Sequence, residues 1–180
     1  PGAWEVDPAA GVFRAAGVGN TELFSADRFD DFELTFEWRL PPGGPVSGNG
    51  GGVVVRAEGW NALGLDPRGV EVDLLSEADR DGRRYGTGCL ALYDTPVDVP
   101  ADRRTRRHVY RTADVPRRGP HAWNAARIVC DGDALTVAIN GAVVNRAAGL
   151  PRRAAPIVLR SQRTAIEYRD VAVRPLPRSN

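Results

Sequence analysis

Within the stretch GVEVDLLSEAD, residues 69 to 79, Glu71 and Asp73 stand two apart inside an apolar run, and Glu77 follows them. Successive side chains of an extended strand point to opposite faces, so Glu71 and Asp73 share one face while Val70, Val72 and Leu74 take the other and form the core side. Their Cα atoms then lie roughly 6.5 to 7 Å apart by strand rise. Carboxyls this close raise each other's pKa, and one of them can hold a proton near neutrality, which makes a feasible acid and base pair. Separations of about 5 Å between carboxyl groups suit a covalent retaining glycosidase, and about 6.5 to 9.5 Å leaves room for a water; side-chain rotamers could deliver either. Three readings stand side by side: a catalytic pair, ligands for a sugar or a cation, or solvated acids paired with arginine on a sheet face.

Other residues have types that suit a saccharide site. Arg56, at the end of GGVVVR, could grip a hydroxyl or a carboxylate in bidentate fashion, or pair structurally with Glu71 or Glu37. Trp60 sits in a loop flanked by glycine and asparagine and could stack on a pyranose face, whereas Trp38 and Trp123 read as core. His108 and His121, the two histidines of the chain, are possible general bases or exposed loop residues. The glycine run from Gly48 to Gly52 precedes no helix and carries no lysine, so phosphate cradling is not expected.

Such side chains need a frame, and its elements read as strands. FELTFEWRL alternates Phe32, Leu34, Phe36 and Trp38 against Glu33, Thr35, Glu37 and Arg39, the pattern of a strand with one face in a core. GGVVVRA reads as the next strand. ARIVCDGDALTVAINGAVVNR contains three apolar runs separated by Asp131-Gly132 and Asn140-Gly141, dipeptides that tolerate positive φ, so a meander is expected. PIVLRSQRTAIEYRDVAVRPL adds two more strands. No amphipathic helix is visible, and roughly ten or more strands exceed what one open sheet carries without splitting, which predicts an all-β, two-sheet antiparallel sandwich. The stretch from about residue 94 to 120 is rich in proline, arginine and aspartate and reads as one long loop within a single domain spanning 1–180.

Composition narrows the function classes. The 24 basic residues are all arginine and nearly balance 23 acids, for a net charge of +1, and they are scattered along the chain, which argues against a nucleic-acid partner. The run Arg103, Arg104, Arg106 and Arg107 reads as a solvated loop. No apolar segment approaches the roughly 18 residues that cross a bilayer, so the chain reads as soluble with no membrane partner. It begins Pro-Gly-Ala-Trp rather than with methionine, as expected of a trimmed, mature or partial chain. Cys89 and Cys130 fit no zinc motif and read either as one disulfide or as two buried thiols. No metal and no cofactor is expected.

The order DFELTFEWRL, NGGGVVVR, GVEVDLL, TGCLALYD, HAWNAARIVCDGDALTVAINGAVV and IVLRSQRTAIEYRDVAVRPL, from about Phe29 to Pro175, resembles the 3-keto-disaccharide hydrolase family. That resemblance implies a concanavalin A-like jelly roll, in proteins that are often bacterial and exported to the periplasm or beyond. It also implies cleavage of glycosides oxidised at the sugar 3-position, and hence a small carbohydrate partner. It places Tyr93 and Asp94 on a site-rim strand, and it sets Gln162 where family members often carry histidine and Asp73 where they commonly carry glutamine. GVEVDLLSE also resembles the catalytic strand of laminarinase-type glucanases, although Glu77 comes six residues after Glu71. On this reading Glu71 and Asp73 are the acid and base, Arg56, Tyr93 and Gln162 position the sugar, and Trp60, Asp94 and His108 complete the binding surface. A non-catalytic carbohydrate-binding module on the same concave face, or a sandwich adapted as a tailoring enzyme for another small molecule, are the alternatives.

Overall fold

The computed structural model describes residues 3–43, 50–74, 86–116, 118–119 and 121–178, and Glu77 lies outside them. In chain order the strands are β1 (Trp4–Asp7), β2 (Val12–Ala15), β3 (Asn20–Phe24), β4 (Phe32–Arg39), β5 (Gly51–Val55), β6 (Gly69–Asp73) and β7 (Leu90–Tyr93). They continue as β8 (His108–Val109), β9 (Asn124–Asp131), β10 (Ala134–Ile139), β11 (Ala142–Ala147), β12 (Val158–Gln162) and β13 (Ile166–Pro175). A seven-stranded sheet runs β1-β2-β13-β4-β9-β10-β11, and a six-stranded sheet runs β3-β12-β5-β6-β7-β8. All the pairings are antiparallel, so the expected two-sheet jelly roll is the fold.

The alternation in β4 reads out directly as burial: Phe32, Leu34, Phe36 and Trp38 are inside, and Glu33, Thr35, Glu37 and Arg39 are half-buried on the outer face. They meet Val53, Val55, Val70, Val72, Leu90, Leu92 and Leu159 from the opposite sheet in one apolar core. β9, β10 and β11 form the expected meander. Its second turn places Asn140 and Gly141 at φ 48° and 87°, while in the first the positive φ falls on Gly132 at 59°. Trp123 departs from expectation. It is half-buried on the outer side, its ring held between the Arg39 and Arg169 guanidiniums at 4.3 and 4.2 Å, because it precedes β9 and falls outside the strand alternation.

The stretch from 94 to 120 is more ordered than a plain loop, since His108–Val109 pairs with β7 as an edge strand and a 3-10 turn spans Ala101–Arg103. The arginine run there is not uniformly solvated either: Arg103 donates to Asn145 Oδ1 at 2.7 Å and Arg104 to the Val97 carbonyl at 3.2 Å. Cys89 and Cys130 are both buried thiols that form no disulfide, and burial pushes each up to about 12.

Arg56 has a different task from the one its type suggested. It lies just past β5 at φ 56°, fully buried, and donates to Asp30 and Asp31, and to the carbonyls of Arg153 and Gly132 at 2.9 Å each. Four segments are thereby tied at one end of the sandwich. Burial works to raise the Asp31 carboxyl, but hydrogen bonds from Arg56 and from the Gly132 N–H, with the charge of Arg152, outweigh it and hold the carboxyl below the usual range. A carboxyl lowered on folding adds stability that is lost as pH falls through the acidic range. Arg56→Met keeps the volume and removes the charge; it is expected to cost about 2 to 3 kcal/mol in denaturant unfolding, because Asp31 keeps Gly132 and Arg152 as partners. A loss below about 0.5 kcal/mol, the level of an ordinary surface substitution, would show that the staple is dispensable.

Candidate functional site

β6 sits in the middle of the six-stranded sheet, and its period-two geometry holds as expected: Val70, Val72 and Leu74 join the core, while Glu71 points to the other face. Glu71 is nevertheless 1% exposed. The segment from residue 57 to 68 folds back over this face, and three contacts fix it there. Asp94 Oδ2 accepts the Ala62 N–H at 2.7 Å, Trp60 meets Phe24 edge-on, and Asp66 reaches Arg160 at 2.8 Å. Val54 and Val158, although outward, are buried beside Ala57 beneath it.

Arg160 is the centre of the site, and sequence reasoning passed over it. On β12, Leu159 packs in the core and Arg160 takes the opposite face, two residues from Gln162. Fully buried, it bonds Glu71 Oε2 at 2.8 Å and Asp66 Oδ1 at 2.8 Å, and its Nε lies 3.3 Å from Glu22 out of hydrogen-bond alignment. Its guanidinium stands 5.2 Å from the Tyr93 ring centroid. Burial opposes the charge of Arg160, but Glu71, Tyr93 and Asp66 more than restore it, so the group stays cationic. Tyr168 crosses from the other sheet, its hydroxyl 3.1 Å from the Gly52 carbonyl and 3.0 Å from that of Arg160, and so fixes β5 and β12 at this level.

Glu71 Oε2 accepts from Tyr93 OH at 2.7 Å, Arg160 Nη1 at 2.8 Å and Gln162 Nε2 at 3.2 Å. The carboxylate leans across β5 at Gly52, where a Cβ would stand 2.5 Å from Glu71 Oε1, so glycine is required for the side chain to lie flat. Burial pushes the Glu71 carboxyl up, against the pull of Arg160 and of the Tyr93 hydrogen bond. Asp73 is pushed well above the usual carboxylate range by burial and by the charge of Glu71, and its Oδ2 has no hydrogen-bond partner among the described residues. Of the two acids, Asp73 is the more strongly raised, while Arg160 and the Tyr93 hydrogen bond favour the charged form of Glu71.

A cleft of about 330 Å3 opens beside this centre, lined by Asn20, Asp66, Tyr93, His108, Gln162 and Arg163 with Ala91, Leu92 and Arg107. Glu71 and Asp73 do not line it. Glu71 lies directly behind Tyr93 and Gln162, which connect it to the cleft. Of the expected residues, the structure brings Tyr93, Gln162 and His108 to the cleft itself and leaves four elsewhere. Arg56 is in its separate ion-pair network. Trp60 is 51% exposed against Phe24 on the outer side of the folded-back loop, and Asp94 anchors that loop. His121 lies 3.1 Å from the Pro41 carbonyl, outside the cleft. Asp66, Glu22 and Asn20 carried no sequence signal, since none belongs to a pattern with the β6 acids; Arg160 did, as the same-face neighbour of Gln162. Among the described residues, no group of three or more His, Cys, Asp or Glu is arranged to hold a metal ion, and no helix is long and apolar enough to cross a membrane.

A family model, that of the 3-keto-alpha-glucoside-1,2-lyase-like domain, matches residues 2–174. The chain belongs to this family. Membership of the 3-keto-alpha-glucoside-1,2-lyase-like family makes the function carbohydrate-related, and the sequence resemblance had pointed to the same group. No curated protein matches the chain. Among solved structures, a candidate glycosyl hydrolase of Parabacteroides distasonis is similar at 20% identity with a TM-score of 0.67, over 97% of this chain and 90% of its own. The carbohydrate-binding module CBM66 of Bacillus subtilis is similar at 12% identity and a TM-score of 0.57, over 97% and 92%. The exoplasmic/lumenal domain of VIP36, in a form bound to Ca2+ and Man3GlcNAc, is similar at 12% identity and a TM-score of 0.63, over 100% and 85%. These likenesses establish the concanavalin A-like fold of this family member.

Proposed function

We propose that the chain is a hydrolase or lyase acting on a glycoside, with a 3-keto-glycoside as its preferred substrate and the Glu71–Arg160 centre as its proton-handling machinery. The observation that carries this reading is the 2.7 Å hydrogen bond from Tyr93, in the cleft wall, to the buried carboxylate of Glu71. A ketone at the sugar 3-position acidifies the proton on C2. Elimination breaks C2–H and C1–O and forms C1=C2, releasing the aglycone as an alcohol; water added across the new double bond completes hydrolysis. In this scheme the C2 proton passes to the Tyr93 oxygen as the phenol's own proton passes to Glu71. A free phenolate is never formed, which suits a hydroxyl whose pKa burial and the charge of Glu71 push upward. Gln162 steadies Tyr93 and Glu71 through its amide at 3.3 and 3.2 Å, Asn20 offers its amide to the ketone oxygen, and His108 supplies the leaving oxygen with a proton.

A second reading, a non-catalytic carbohydrate-binding module, is favoured by one feature: both oxygens of Asp66, the carboxylate that lines the cleft, are engaged, by Arg160 and by Asn61 at 3.0 Å. Incubation of the purified protein with matched disaccharides, oxidised or unoxidised at C3, separates the two by mass spectrometry of the products. Cleavage restricted to the keto sugars is expected. Binding of the unoxidised sugars with no cleavage of either series would establish the binding module instead.

A further inference from the structure

We infer that the cleft selects a saccharide bearing a carboxylate, through Arg107 and Arg163; this rests on the carbohydrate reading given above. Both residues line the cleft and are exposed, and neither side chain has an ion pair or hydrogen bond among the described residues. On the outer face of the seven-stranded sheet, by contrast, guanidiniums are consumed: Arg14 and Arg39 share Glu167, Arg127 takes Glu33, and Arg169 takes Glu37. Within the cleft, Asp66 is paired with Arg160, which Glu71 and Glu22 also face, so Arg107 and Arg163 offset the remaining acid charge and are the cations open to a ligand.

Backbone geometry holds both arginines in place. Arg163 follows β12 at φ 58°, a left-handed conformation that glycine or asparagine adopts more readily, and its N–H bonds the Gly19 carbonyl at 2.8 Å. Holding a long, charged side chain in that conformation costs stability of the kind found at ligand sites. The Arg107 carbonyl accepts the Leu92 N–H at 2.7 Å, and the Arg107 N–H donates to Thr105 Oγ1 at 3.3 Å, so its backbone is fixed next to Tyr93. A planar guanidinium fork matches a carboxylate, and the engaged acids behind it leave no internal competitor.

The experiment is calorimetric titration of the intact protein with methyl glucoside against methyl glucuronide, in both anomers, and with phenyl glucoside against 4-carboxyphenyl glucoside. The first pair places the carboxylate on the ring, the second on the aglycone, so the two sources separate. The expected result is at least about tenfold tighter binding of the charged member of one pair at low salt, shrinking as salt is raised. In the double variant Arg107→Gln and Arg163→Gln the preference should vanish, with affinity for the neutral sugar kept within about twofold. Equal binding of charged and neutral sugars, or a preference that survives the double variant, overturns the inference and leaves the carbohydrate reading standing. Failure of every sugar to bind overturns the inference, and the carbohydrate reading is then decided separately by cleavage of the keto-disaccharides.

Discussion

Glu71→Gln is expected to lower turnover of a 3-keto-glycoside by about 10²-fold or more, with the folded state retained. The amide keeps the shape of the carboxylate and can still accept from Tyr93 and Arg160, but it cannot take the proton that Tyr93 would pass to it. Stability changes little, because the cost of burying a charge disappears together with part of the pairing to Arg160, which retains Asp66. Asp73→Asn gives a different signature. Burial and Glu71 keep the Asp73 carboxyl protonated above the ordinary carboxylate range, so the parent centre gains a charge, and loses its single-proton state, as pH rises through that raised pKa. The rate should fall on this alkaline limb in the parent, and the limb should disappear in Asp73→Asn. The same raised pKa makes the unfolded chain release the proton first, so stability should decline as pH rises from the ordinary carboxylate range to the raised value, and level off beyond it. Rates and pH profiles of both variants unchanged from the parent would remove the pair from the chemistry.

Arg160→Met is expected to cost about 3 to 5 kcal/mol at neutral pH, the largest stability effect of any substitution considered. Methionine fills similar space but leaves Glu71, Asp66 and Glu22 facing each other with no cation, and Glu71 is buried with nowhere to turn. Stability should recover partly toward acid pH, where the unpaired carboxyls take up protons more readily than in the unfolded chain. Urea unfolding across pH measures both effects. Adding Glu71→Gln to Arg160→Met should return part of the loss, since it removes one of the stranded charges. Stability equal to the parent's in Arg160→Met alone would show that the ion cluster is not what holds β6, β12 and the folded-back loop together.

The architecture was legible because it rests on period two. FELTFEWRL and VEVDL specify which face is buried without reference to any neighbour, and the Asn140-Gly141 turn is a local matter of positive φ. The same rule correctly placed Glu71 on the face away from the core. Residues outside strand alternation were not legible: Trp123 lies in a lead-in segment and stacks between two arginines from separate strands, and Arg56 adopts a left-handed turn that aims it at Asp30 and Asp31.

The sequence by itself determined an all-β sandwich, the family, and the face on which the β6 acids stand. Only the tertiary structure decided what surrounds those acids. Arg160 lies 89 residues from Glu71 and Asp66 lies 94 from Arg160, and the contacts arise from strand order and from a loop folding back, neither of which is encoded in local spacing. Nor could spacing show that Glu71 is hidden behind Tyr93 and Gln162. Burial on this face depends on side chains converging from three strands as the sheet twists, and a one-dimensional pattern specifies a face without specifying what covers it.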